Sequence, residues 1–112
     1  MKNSEKKKIK KFANYYGWSD VHPYEVVNVI SEQTVEVRAM KATQTVFPKE
    51  FHVGGFSAHC SDQYRQDYKY ESVPDSPTVR IRWSNAKNQW QRAGGMKFLM
   101  EDAPHKFYDY NY

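Results

Sequence analysis

Alternation of apolar and polar side chains with a period of two residues constrains the fold of this 112-residue chain more than any other feature. The segment TVRIRW is the clearest case, because polar and apolar residues follow one another without interruption. Such alternation predicts a strand with one buried face and one solvated face. Val79, Ile81 and Trp83 are predicted to face inward. Arg80 and Arg82 are predicted to face solvent.

The same pattern recurs in several short segments that turn residues separate. YEVVNVI (24–30) and TVEVRAM (34–40) are rich in β-branched residues and are separated by three residues, which predicts a hairpin. Further strands are predicted at 67–72, 89–92 and 96–100. Five or six short strands with turns between them predict a mainly β fold, either a small antiparallel β-barrel or a curled sheet.

The lysine-rich N-terminal segment has a helical rather than a strand period. Ile9, Phe12, Ala13 and Tyr16 follow the i, i+3, i+4, i+7 spacing of a single buried face. We therefore predict a basic amphipathic helix over 4–16 that covers one opening of the barrel.

Length and punctuation predict a single domain over 1–112, with a β-sheet body over 24–112. Residues 41–66 are the least regular part, and Pro48 and the Gly54-Gly55 pair interrupt them. The sequence predicts a long loop there, and loops of that length in small domains are often functional.

The terminal hexapeptide FYDYNY carries four aromatic residues in six positions. Tyr108, Tyr110 and Tyr112 share one side of an extended chain, an order that a frayed tail would not require. The segment is predicted to form the last strand of the sheet.

The net charge of +4 comes from the N-terminus, because residues 1–11 contain six lysines and one glutamate. The remaining residues contain 11 basic and 12 acidic side chains, which argues against a dedicated duplex-binding domain. A solvated helix face is one interpretation of the lysines, and contact with nucleic acid is the other. The lysines predicted for such contact are Lys6, Lys7, Lys8, Lys10 and Lys11.

Composition also limits the compartment. The single cysteine excludes an internal disulfide and is typical of a reducing cytoplasm. No apolar run approaches the ~20 residues of a membrane-spanning helix, and no signal peptide is evident. We expect an intracellular protein without a membrane partner.

Several segments together resemble a group of small, mostly uncharacterised phage proteins. The shared pattern is a Ser-Asp-x-x-Pro-x-x-Val start, a hairpin with Val-x-Val-Arg, a Trp hairpin and a terminal Tyr-Asp-Tyr-x-aromatic strand. The matching positions are Ser19, Asp20, Pro23, Val26, Val35, Val37, Arg38, Trp90, Tyr108, Asp109, Tyr110 and Tyr112. The resemblance implies a phage or prophage origin, residence in the cytoplasm of an infected bacterium, and a role against host defence or host machinery.

Catalytic and metal-binding signals are weak. His59 and Cys60 are adjacent, so an extended chain points their side chains to opposite faces, and a nucleophilic dyad would need another histidine. His52, His59, Cys60 and His105 lack the short repeated spacings of zinc ligands. WSD is interpreted as a turn in which Ser19 or Asp20 bonds backbone amides as the chain leaves the helix. We predict no catalytic residues, no metal and no cofactor.

A binding surface is the first functional hypothesis. If their strands are neighbours, Arg38, Arg80 and Arg82 would share one face and could hold phosphate oxygens, with Tyr68 and Tyr70 against bases. The ligand would be a single-stranded nucleic acid or a nucleotide signal of host immunity that the protein sequesters. The competing interpretation pairs these arginines with nearby glutamates.

The second hypothesis is a protein–protein inhibitor of a host factor or a self-assembling interaction protein. Its interface would be the aromatic strand or the segment 47–64, and a homo-oligomer is one form of it.

Overall fold

The computed structural model describes residues 2–49, 51–54, 57–60 and 64–109, with the backbone alone at 2–4, 51–54 and 57–60. In these ranges one short helix precedes a series of strands. The elements are α1 (Lys2–Lys7), β1 (Phe12–Tyr16), β2 (Val21–His22), β3 (Tyr24–Ser31), β4 (Thr34–Ala39), β5 (Lys41–Val46), β6 (Phe51–Gly54), β7 (Ser57–Cys60), β8 (Asp67–Glu71), β9 (Thr78–Ser84), β10 (Gln89–Arg92) and β11 (Met96–Glu101).

Six antiparallel strands close into a barrel in the order β1–β3–β4–β9–β10–β11, and β11 pairs with β1 to complete the ring. The extra strand β2 extends β3 across Pro23 and pairs with the end of β1. The predicted mainly β fold and the small antiparallel barrel are therefore confirmed.

The barrel core is built by the alternation that the sequence displays. Val35 and Val37 of β4 and Ile81 of β9 are fully buried, whereas Val79 at the start of β9 is half-buried. The rings of Trp83 and Trp90 meet edge to face with centroids 6.0 Å apart. Outward residues of the same strands are partly or fully exposed. The buried core cluster consists of Ala13, Val35, Val37, Ile81, Trp83, Trp90, Phe98 and Met100.

The predicted helix over 4–16 is wrong for most of its length. Only Lys2–Lys7 is helical, and Phe12–Tyr16 forms β1, which pairs along its full length with β11. The pentapeptide FANYY satisfies both periods, and barrel closure selects the extended one because Ala13 and Asn14 then become completely buried. The helix contacts β10 and β11. Among the described residues, no helix has both the length and the hydropathy needed to cross a membrane.

The predicted loop over 41–66 is also wrong, because most of its described residues form strands. β5 pairs with β8, and β6 pairs with β7 so that Gly54 lies opposite Ser57. KATQTV contains Thr and Val at positions that suit a pleated ribbon, a signal that Pro48 and the glycine pair obscured. We refer to β5–β8 as the arm.

The predicted terminal strand is reduced to one bridge within the described residues. Phe107 and Val21 exchange two backbone hydrogen bonds, of 2.9 and 3.0 Å, while Tyr108 and Asp109 lie outside any strand. Tyr110 and Tyr112 lie outside the described residues. The segment 103–109 nevertheless docks along the molecule, as described below.

Candidate functional site

The predicted arginines do lie on one outer surface of the barrel. The β4–β9 register places Arg38 opposite Thr78 and Glu36 opposite Arg80, so the outward residues of both strands share a face. Arg38 is already engaged, since its Nη2 lies 3.1 Å from Glu25 Oε1 and its Nη1 donates to the carbonyl of Pro74 at 3.1 Å. The competing interpretation, pairing with glutamate, therefore holds for Arg38.

The other two predicted arginines line a groove together with Arg92. Arg80 contacts Glu36 only at 4.0 Å, and its side chain is half exposed. Among the described residues, neither Arg82 nor Arg92 has an ion-pair or hydrogen-bond partner. The groove has a volume of about 310 Å³, and Gln91, Ala93 and Gly94 complete its lining. An open groove with three guanidinium groups can bind an anion.

Tyr68 and Tyr70 do not join the arginines. They lie on β8 of the arm, with ring centroids 6.4 Å apart. The hydroxyl of Tyr68 donates to Gln66 Oε1, and that of Tyr70 accepts from the backbone N–H of Lys106 at 2.8 Å. Burial raises the pKa of Tyr70. Both tyrosines thus support the docked C-terminal segment.

The N-terminal lysines divide between α1 and the coil that follows it. Lys6 and Lys7 belong to the helix, whereas Lys8, Lys10 and Lys11 follow it. Lys10 Nζ lies 3.9 Å from Asp102 Oδ2, and the Asp102 side chain is almost fully exposed. A pair of this kind contributes little to stability and leaves the lysines available to a polyanion.

His59 and Cys60, considered above as a nucleophilic dyad, lie on β7, which forms a hairpin with β6 in the arm. β6 and β7 place the backbones of His52 and His59 opposite each other, and the side chains of both histidines and of Cys60 lie outside the description. Among the described residues, no group of three or more His, Cys, Asp or Glu side chains could hold a metal.

The strands β5 and β8 of the arm are well exposed, although Pro48, which follows β5, is buried. Within the described structure its strands pair with one another and with no barrel strand, and no residue of β5 or β8 is buried. Val46 is 40% exposed and Phe47 is 56% exposed where β5 ends. Two neighbouring apolar side chains therefore face solvent on a two-stranded ribbon.

A second exposed apolar region lies on the barrel, along the last part of β3. β1 pairs with β3 only at Phe12 and Glu25, so among the described residues 27–31 have β4 alone as a neighbouring strand. Val27, Val29 and Ile30 are 37%, 56% and 44% exposed. We refer to residues 27–31 as the β3 edge. Register shifts at Val26/Asn28 and Val29/Ser31 interrupt the ladder there.

A buried side-chain amide anchors the C-terminal segment to the barrel. Asn14, which is fully buried, donates to Glu101 Oε1 and the carbonyl of Ala103 and accepts from the N–H of His105 at 2.8, 3.0 and 3.1 Å. Tyr16 also donates to Glu101, and burial together with that carboxylate raises its pKa well above the ordinary range.

Further along, the same segment reaches the arm. The ring of Phe107 stacks on Tyr64 at 5.3 Å, and Gln66 exchanges hydrogen bonds with the backbone of Tyr108 at 2.8 and 2.9 Å. Asp20 Oδ1 accepts the N–H of Asp109 at 2.9 Å. The predicted turn role of Asp20 is therefore correct in kind, although the amide that it binds comes from the other end of the chain.

A histidine and a lysine meet where this segment passes β2. Lys106 Nζ lies 2.9 Å from His22 Nδ1, which fits an ammonium donor and a neutral imidazole acceptor. Burial lowers the pKa of His22, Lys106 lowers it further, and Asp20 opposes both effects. Burial likewise lowers the pKa of Lys106. The contact is structural and faces no enclosed cleft, since the adjoining groove beside Pro23 is open.

Sequence patterns did not identify two exposed residues that could take part in binding. Arg92 ends the short strand QWQR, where a single arginine has no periodic context. Trp18 is 90% exposed in the turn between β1 and β2, although an apolar indole in GWSD suggests a buried residue. The only available signal was that Trp18 follows Gly17 and lies outside every alternating segment.

In comparisons with protein-family models, curated proteins and solved structures, nothing matches the chain.

Proposed function

We propose that this chain is a non-catalytic, self-assembling interaction protein in which the arm of one copy packs against the β3 edge of the next. The observation that carries the proposal is that one chain exposes both apolar side chains at the end of β5 and an apolar strand edge on β3. Exposed apolar surface of this kind marks interaction sites in proteins.

The arm supplies the protruding half of the contact. A two-stranded ribbon without buried side chains gains little stability from its own packing, so its apolar residues are better explained by a partner. Val46 ends β5 and Phe47 follows it, and the exposed aromatic ring of Phe47 can serve as the anchor that a partner buries.

The β3 edge supplies the receiving half. Three exposed apolar residues, Val27, Val29 and Ile30, fall within four positions, and barrel strands β4 and β9 hold them rigidly. The two register shifts disfavour a regular added strand, because bulges twist a strand edge away from further pairing. The contact is therefore side-chain packing of the arm on the edge rather than extension of the sheet.

A contact between two different surfaces is heterologous. Each copy then offers one arm and one edge, so assembly continues until a ring closes or a filament grows. This assigns the chain a structural role among copies of itself, in the cytoplasm of an infected bacterium if the resemblance to phage proteins holds.

Sequestration of a small nucleotide signal from host immunity is the rival proposal. Its pocket needed Arg38, Tyr68 and Tyr70 beside the other arginines. Arg38 is held by Glu25, and the two tyrosines hold the C-terminal segment, so the geometry favours this function less. Inhibition of a host protein would use the same arm as the proposed self-assembly.

The decisive experiment is a mixing test by sedimentation velocity. Wild-type protein is expected to form larger species as its concentration rises. Phe47→Ser removes the arm anchor and Val29→Lys charges the edge, so each variant alone should remain monomeric. An equimolar mixture should form a one-to-one dimer, because one variant keeps an intact edge and the other keeps an intact arm.

Lys69→Gln is the matched control, since Lys69 is exposed on β8 and should not affect assembly. Wild-type protein that stays monomeric at every concentration would refute self-assembly. Variants that associate like wild type would remove the arm and the edge from the interface, and a mixture that stays monomeric would exclude the head-to-tail arrangement.

A further inference from the structure

We propose that the outer barrel face formed by β1, β11, β10 and β9 binds single-stranded nucleic acid, with Arg82, Arg92 and Lys97 on its phosphates and Trp18 stacked on a base. This site is independent of the proposed self-assembly, because it uses neither the arm nor the β3 edge.

The strand register aligns the face. Tyr16 lies opposite Lys97, Lys97 lies opposite Gln91, and Gln91 lies opposite Arg82, so these outward side chains form one row across four strands. Three inter-strand spacings of ~4.8 Å give this row a length of about 14 Å. A path of that length accommodates a short run of nucleotides.

Positive charge and hydrogen-bond donors continue along the row. Arg82 and Lys97 belong to the row and are exposed. Arg92, which ends β10 opposite Met96, lies beyond the row, is exposed, and lines the adjoining groove with Arg80 and Arg82. Gln89 Nε2 donates to Gln91 Oε1 at 3.1 Å. The oxygen of the Gln91 amide is therefore occupied, and its nitrogen can donate to a ligand. The row thus follows the charge pattern of a groove that tracks a nucleic-acid backbone.

The carboxylates that border the face are already satisfied. Glu36 accepts from Asn28 at 3.0 Å and lies 4.0 Å from Arg80. Glu101 accepts from Asn14 and Tyr16 at 2.8 and 2.9 Å. Neither acid forms an ion pair with Arg82 or Arg92 within the described residues, so both guanidinium groups can take a phosphate as their counter-ion.

Trp18 provides the stacking element. The arginine groove ends at Gly94, and the same glycine borders a second groove lined by Trp18 and Lys97. An indole that is 90% exposed gains stability when a base covers it, and base stacking tolerates any sequence. A base must be unstacked from a helix to reach it, so the proposed ligand is a single strand and not a duplex.

The test is fluorescence anisotropy with an end-labelled oligothymidylate of about 12 nucleotides, a length within the range that small β-barrels cover. Arg82→Gln and Arg92→Gln should each weaken binding several-fold and reduce the slope of log K against log salt by about 0.7, as expected for one lost phosphate contact. Trp18→Leu should weaken binding roughly 10-fold or more while leaving that slope unchanged.

Intrinsic fluorescence gives an independent readout of stacking. The chain has three tryptophans, of which Trp83 and Trp90 are buried in the core, so quenching by the oligonucleotide should report Trp18 alone. Trp18→Leu should abolish the quenching. Phe47→Ser should bind the oligonucleotide like wild type, which separates failure of this site from failure of self-assembly.

Lys69→Gln removes one exposed positive charge from the arm and should bind like wild type. The proposal is overturned if that variant loses as much affinity as Arg82→Gln, or if Lys6→Gln and Lys8→Gln together carry the whole effect. Equal affinity for a duplex of the same length would exclude base stacking. Tighter binding of ATP or pyrophosphate than of the oligonucleotide would assign the groove to a small ligand instead.

Discussion

The barrel and the arm are both antiparallel β-structure, yet they are stabilised in different ways. Barrel strands close on themselves and enclose a core in which Trp90 and Phe98 are 1% exposed. Arm strands β5 and β8 contain no buried residue and pair only as a ribbon within the described structure. The same local pattern therefore produces a rigid body in one region and an accessible surface in the other.

The arm is ordered by contacts with residues outside its own strands. An isolated two-stranded ribbon is only marginally stable in water. Here Tyr70 on β8, and Tyr64 and Gln66 just before β8, contact the C-terminal segment, which the buried Asn14 fixes to the barrel. Residues at this joint should control the arm without contributing to the core.

Truncation in the core should have the largest effect and should separate the two regions most clearly. Trp90→Ala is expected to lower the free energy of unfolding by about 3–5 kcal/mol, because it leaves a cavity between β9 and β11. Urea titration followed by tryptophan fluorescence and circular dichroism measures the change.

Val46→Ala on the arm is the matched control and should change the same quantity by less than about 0.5 kcal/mol. Equal losses for the two variants would mean that the arm packs as a core element, contrary to the comparison drawn above.

Truncation at the joint should have an intermediate effect. Asn14→Ala removes three hydrogen bonds, to Glu101, the carbonyl of Ala103 and the N–H of His105, and leaves a void where the buried amide was, which should cost about 1–3 kcal/mol. Hydrogen exchange measured by mass spectrometry should accelerate in Asn14→Ala relative to wild type, and more at β5 and β8 than at β4 and β9.

Asn28→Ala is the control for that change, since its amide donates to Glu36 at the surface and its loss should alter exchange only locally. Unchanged protection of the arm in Asn14→Ala would show that the C-terminal segment does not order it.

Titration of His22 should have the smallest effect. Its folded pKa lies below 6.5, so the unfolded state binds the proton first, and stability is complete above about pH 6.5 and falls as the pH decreases toward the folded pKa. Protonation would place a cation beside Lys106, with only Asp20 in opposition. Thermal unfolding between about pH 7 and pH 5 should therefore show a small loss of melting temperature.

His22→Gln should reduce this pH dependence, and the difference between variant and wild type isolates His22 from the other titrating groups. Identical pH profiles for the two proteins would show that His22 does not contribute to the pH dependence of stability.

The barrel strands were predictable because their sequence patterns are local. In TVRIRW and TVEVRAM each apolar residue has a polar neighbour, and turn residues mark the ends, so inward and outward faces follow without knowledge of the partner strand. The shared outer face of Arg38, Arg80 and Arg82 followed from the same patterns once β4 and β9 paired.

The remaining features depend on contacts between distant parts of the chain. Ile9, Phe12, Ala13 and Tyr16 fit a helical stripe, and only pairing with β11 makes residues 12–16 a strand. Engagement of Arg38 by Glu25, and of Tyr70 by Lys106, likewise depends on the assembled fold. The exposure of Trp18 has only a weak sequence signal, its position after Gly17 and outside the alternating segments, because tryptophan is ordinarily buried.

Closure of the barrel by β1 and β11 also has a consequence during synthesis. Phe12 pairs with Glu101, so the ring cannot form until residue 101 has left the ribosome. Until then the β3–β4 hairpin can form from local contacts alone, with Val35 and Val37 still uncovered. Pairing between residues so far apart in sequence slows folding. It also lengthens the time during which chaperones, or other copies translated from the same mRNA, can bind the incomplete barrel.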